Sequence, residues 1–140
     1  MTAKEYLSQV YYLDKMIDAK IEQQQHLKDL AYKVSPTLSA EKVSGGSIEN
    51  RTEDYICKWV DLDNEITTDI DRLVELKKEI KKVIEQVHEP KYKLLLTLRY
   101  LNCKKFEEIA EEMNFKDVRW VYELHKKALN FIEVHVLIVV

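Results

Sequence analysis

The chain has 140 residues, 34% of them charged, with only two glycines and two prolines. Such scarcity of breakers argues for long helices and little strand, in one domain or one domain with a helical appendage. A net charge of −3 argues against nucleic-acid binding by the chain as a whole. No segment approaches the ~20 apolar residues that cross a bilayer. Met1-Thr2-Ala3-Lys4-Glu5 is not followed by the apolar run of a signal peptide, so a soluble, cytoplasmic protein is expected.

Thr2 and Glu5 have the spacing of a capping box, and the helix they open is expected to run to about Val34. Its apolar seam holds Val10, Ile17 and Ala31 in one heptad position and Leu13, Leu27 and Val34 in the other, with Lys20 and Gln24 interrupting. Pro36, Gly45-Gly46 and several serines predict a flexible loop over about 35–52. A second helix then follows over roughly 53–88. Trp59, Ile66, Leu73, Ile80 and Val87 recur every seventh residue, with Leu62, Leu76 and Val83 between them and Asp69 as the polar exception. Four heptads at 1.5 Å per residue make a rod on the order of 50 Å long.

That apolar stripe must be covered. An antiparallel hairpin with helix one would do it, as would a coiled coil between chains. The broken seam of helix one makes it a poor sole partner. A hairpin that also self-associates is therefore expected, with Trp59, Leu62, Ile66, Leu73, Leu76, Ile80 and Val83 mediating homo-oligomerisation and a dimer favoured.

From residue 90 onward three short helices are expected. The first starts at Pro90 and ends near Leu101, where Asn102 and Cys103 interrupt it. The second spans roughly Lys105 to Met113, with Phe106, Ile109, Ala110 and Met113 on one face. Asn114 tolerates the left-handed backbone of a turn, and Asp117 can cap the third helix. Val121, Leu124, Ala128 and Ile132 line its inner side, while Leu95 and Leu98 complete the core of the three. The fold class is all-α: a long amphipathic helical hairpin or coiled coil over 1–88, then a three-helix unit with helix-turn-helix dimensions over 89–133. An apolar tail, 134–140, has no evident role.

"LLLTLRYLNCKKFEEIAEEMNF", with the following "V" and "KKAL", resembles region four of bacterial sigma factors. The closer similarity is to phage regulators of the RinA/ArpU type and to related prophage proteins, and it extends upstream through "EKVSGGSIENRTE" and "VDLDNEITTDIDRLVELKKEI". Ala110 and Val121 lie eleven residues apart, one more than the common sigma spacing, and Asn114 stands where sigma factors usually have Gly. Both features suit the phage group better. The resemblance implies a DNA-binding transcription regulator of phage or prophage late genes, with the helix over about 117–132 in the major groove and host RNA polymerase as a possible partner.

The outer face of that helix carries Arg119, Tyr122, Glu123 and Lys126 as candidates for base contacts, and Lys104, Lys105 and Lys127 as candidates for phosphate contacts. Residues 1–89 hold 13 basic against 18 acidic side chains, a balance of −5, whereas residues 90–140 hold 9 against 7, or +2. A single copy should bind DNA weakly. Cys57 and Cys103 lack zinc-ligand spacing and are expected to be reduced, partly buried thiols, while His125 is expected to pack or bond locally. No metal, cofactor or enzymatic motif is read. Two alternatives share these features: a protein-interaction module that binds polymerase or a regulator, and a small-terminase-like reader of a packaging site.

Overall fold

The computed structural model describes the backbone of residues 1–40 and 45–136 and the side chains of 1–33 and 50–136. Among the described residues there are five α-helices and no strand. These are α1 (Ala3–Ala40), α2 (Gly45–Glu85), α3 (Pro90–Leu96), α4 (Phe106–Glu112) and α5 (Val118–His135), with a π-helical turn over Thr97–Leu101 at the end of α3. The all-α expectation holds. The chain forms two compact units, residues 14–72 and residues 1–13 with 73–140, so the first turns of α1 and the end of α2 belong with the C-terminal helices. The division does not fall at the expected 88/89 boundary.

In the unit of residues 14–72, α1 and α2 pair antiparallel, and the polar breaks in their seams meet each other. Lys20 Nζ lies 2.6 Å from Asp69 Oδ2 and 3.6 Å from Glu65 Oε1. Gln24 Nε2 donates to Asp63 Oδ1 at 3.0 Å and to the Trp59 carbonyl at 3.4 Å. The Lys28 ammonium sits 4.4 Å from the centroid of a Trp59 ring. What looked like a broken seam in helix one is thus the complement of the Asp69 exception in helix two. Each polar residue fixes the register, because a one-heptad slip would strand it opposite an apolar side chain. The Lys20 ammonium is held above its ordinary pKa, chiefly by the hydrogen bond to Asp69.

Both helices run beyond their expected ends. Lys28, Ala31 and Tyr32 of α1 and Thr52, Ile56 and Trp59 of α2 line one shared hollow. α1 runs through Pro36 to Ala40 and α2 starts at Gly45, so most of the segment expected as a loop over 35–52 is helical. Residues 41–44 lie outside the described residues.

The other unit is built on two apolar clusters. One gathers Ala3, Leu7 and Val10 of α1, Ile80 and Ile84 of α2 with Val87 just beyond it, and Leu96, Tyr100, Ala128 and Ile132. The second gathers Leu95, Leu98, Ile109, Ala110 and Val121, with Phe106, Met113, Phe115 and Leu124 packed on it. Helical spacing divides the residues between the clusters: Leu95 and Leu98, three apart, share one face, and Leu96 and Tyr100, four apart, share another. The helix then ends in the π turn, where the Asn102 N–H reaches back five residues to the Thr97 carbonyl at 3.0 Å. Cys103, at φ 54°, then ends the turn in the left-handed region. The capping box forms as expected, with Glu5 N–H donating to Thr2 Oγ1 at 3.1 Å and Thr2 N–H to Glu5 Oε2 at 3.0 Å. A third N–H of this helix start, from Ala3, donates to Glu133 Oε1 of α5 at 3.0 Å. Of the tail, Val136 packs partly on the first cluster, and residues 137–140 lie outside the described residues.

One buried polar pair joins α5 to the π turn. The Tyr100 hydroxyl and His125 Nε2 are 2.6 Å apart, and the two rings stack at 5.7 Å. Burial, with help from Arg99 and Lys4, lowers the imidazole pKa from 6.5 to about 4. Burial likewise pushes the Tyr100 phenol up to about 12. Both groups are therefore neutral at pH 7. If the phenol donates, the imidazole proton resides on Nδ1.

Two outcomes are expected. Asp69→Leu alone strands the Lys20 ammonium and lowers the melting temperature, whereas Lys20→Leu with Asp69→Leu restores it; a thermal melt of all three proteins decides. Between pH 6.5 and 4 the unfolded chain binds a proton at His125 that the folded chain refuses. Stability is therefore whole above pH 6.5 and falls as the pH drops, by on the order of 3 kcal/mol for this group. His125→Gln should remove that share of the slope in urea titrations at pH 7 and pH 4.5, and an unchanged slope would contradict it.

Candidate nucleic-acid interface

The connection from α4 to α5 is set by local chemistry. Asn114 adopts φ 60°, and its N–H donates to the Glu111 carbonyl at 3.2 Å while the Phe115 N–H donates to the Ala110 carbonyl at 2.8 Å. These two bonds make a Schellman ending, with Asn in the place more often held by Gly. Phe115, just past the turn, folds back onto the same cluster as Ile109 and Ala110. Ala110 is nearly buried where α4 packs on α5, and its small side chain allows a close crossing.

Asp117 caps α5. Its carboxylate accepts from the Arg119 N–H at 3.0 Å and from Arg119 Nε at 2.8 Å. These bonds, the backbone one first, hold the Asp117 carboxyl below its usual pKa. Val121, His125, Ala128 and Ile132 face inward and are buried. The opposite face is open: Arg119, Tyr122, Glu123, Lys126 and Lys127 are all exposed. The structure thus brings those five expected residues together on one helix surface. Tyr122 is 45% exposed, yet its ring packs edge-on against Phe106 at 5.0 Å, which fixes its direction. Phe106 is itself held between His125 at 5.1 Å and the Arg99 guanidinium at 4.0 Å.

The two phosphate candidates before α4 differ from each other. Lys105 is exposed. Lys104 is half-buried and paired with Glu112, because the π turn and its left-handed exit bring it back over the end of α4, so its charge is largely spent within the chain. Glu107, Glu108, Glu111 and Glu112 are all exposed, leaving α4 an acidic outer side. Sequence reading gave no role to Trp120, which stands 61% exposed between Arg119 and Val121. The signal was present: with Val121 assigned to the core, the residue one step of about 100° away had to turn outward. An indole so exposed at the start of an open helix face is uncommon for a structural residue.

The seven residues expected to mediate oligomerisation are occupied inside the chain. Ile66 and Ile80 are buried, Leu73, Leu76 and Val83 pack on the first cluster, and Trp59 lies beneath Lys28. Leu62 lines a hollow with Ala19, Gln23 and Leu27. The physical reason is the complementary polar seam, which makes α1 a full partner for α2. Cys57 and Cys103 are exposed free thiols rather than partly buried ones. Among the described residues, no helix is long and apolar enough to cross a membrane.

No curated protein and no solved structure matches the chain. A family model described as a protein of unknown function, DUF1492, matches residues 32–133, which takes in much of the hairpin and all of the three-helix unit. The chain belongs to the DUF1492 family.

Proposed function

We propose that α5 is the recognition helix of a sequence-specific DNA-binding regulator of phage or prophage late genes, working in the cytoplasm on duplex DNA. The observation that carries this reading is the division of α5 into a buried inner stripe and an open outer face. That face carries Arg119, Trp120, Tyr122, Lys126 and Lys127. Arg119 and Tyr122 are aimed by Asp117 and Phe106, which lowers the entropy lost on binding. Their donors suit base edges, and Lys126 and Lys127 suit phosphates. The resemblance to RinA/ArpU-type regulators supports the same assignment.

A second reading rests on the acidic side of α4. Four exposed carboxylates beside a mildly basic α5 suit docking on a basic protein surface such as RNA polymerase or a regulator.

Selection of bound sequences from random duplexes, with the purified chain and no polymerase, separates the two readings. An enriched motif supports DNA reading, and its absence with retained polymerase binding supports the second. On the selected site, Arg119→Ala should cost about 1–3 kcal/mol and relax preference at one position. Lys105→Ala should weaken all duplexes alike and reduce the salt slope by about 1. Trp120 fluorescence should shift on binding in a Trp59→Phe background; an unmoved spectrum would remove Trp120 from the interface.

A further inference from the structure

The open face of α5 continues past its candidate contacts. Arg119, Tyr122, Lys126 and Glu133 follow one another at steps of three, four and seven, so they form one stripe along the helix. Two other elements abut this stripe within the same compact unit. At Tyr122 the neighbour is the start of α4, where the Phe106 ring packs at 5.0 Å and the preceding Lys105 is exposed. At Glu133 the neighbour is the first turn of α1. The Glu133 carboxylate accepts from the Ala3 N–H at 3.0 Å, and the next residue, Lys4, is exposed. Lys4 also lies near enough to His125 to join burial and Arg99 in lowering the imidazole pKa. The far end of the stripe thus holds a carboxylate engaged as a helix cap, with a cation supplied beside it by another helix.

We propose that Lys4 of α1 and Lys105 before α4 bracket the recognition helix and bind phosphates on the two strands that border one major groove of duplex DNA. Tyr122 and Glu133 are eleven residues apart, about 16 Å along α5. The groove is about 12 Å wide. Cations standing at these two points therefore meet the backbones on either side of it, while the residues between them face base edges. Glu133 is a positioning residue: through Ala3 it holds the first turn of α1, and Lys4 with it, at the end of the stripe. Its own charge repels phosphate, so any help it gives to binding has to run through that hydrogen bond. The inference rests on the reading of α5 as the helix that enters a duplex.

The test is a fluorescence-anisotropy titration of the full chain with a selected duplex and a random one, repeated across a range of salt. Lys4→Ala should weaken both complexes about fivefold near 0.15 M salt and lower the salt slope by about 1, with circular dichroism unchanged and Lys4→Arg restoring the parent. Lys4→Ala combined with Lys105→Ala should lower the slope by about 2. Glu133→Ala should weaken binding even though it removes a negative charge. Glu133→Gln keeps an acceptor for the Ala3 N–H and should bind at least as tightly as the parent. Tighter binding by Glu133→Ala would overturn the positioning role. A parent that binds while Lys4→Ala alters neither affinity nor slope would overturn the bracket and leave the recognition helix standing. A parent that binds no duplex at any salt would overturn both.

Discussion

The hydrogen bond between Tyr100 and His125 stands at the meeting point of the two apolar clusters, and the orientation of α5 depends on it. Tyr100 belongs to the cluster built with the ends of α1 and α2, whereas His125 touches Phe106 on the side of α4. A helix packed by apolar contacts alone can rotate or slide with small loss. A buried polar pair cannot, because any displacement leaves two neutral groups without partners in a dry environment. Leu98 and Tyr100, two residues apart and so about 200° apart around the helix, point to different clusters. With its inner face pinned, α5 has one rotation about its axis, and that rotation decides which side chains meet a ligand.

The electrostatics of the open face are restrained. Arg119 is bound to Asp117 and Lys104 to Glu112, so two of the cations nearest the turn are partly neutralised before any ligand arrives. Such pairing lowers the positive charge that this face presents. What remains favours geometry over charge: a fixed Tyr122, an oriented guanidinium and an exposed indole.

Features decided within four or five residues were legible in the sequence. The Thr2–Glu5 capping box, the left-handed Asn114, the Asp117 cap and the core trio Phe106, Ile109 and Val121 follow from neighbours along the chain. Features decided by distant partners were not. Lys20 and Asp69 each look like a flaw in their own seam, and only their meeting across 49 residues turns two defects into one constraint. The same blindness made helix one look like a poor sole partner for α2 and ended it near Val34. The pairing of Lys104 with Glu112 was hidden for a related reason, since the π turn before it has no simple sequence signature.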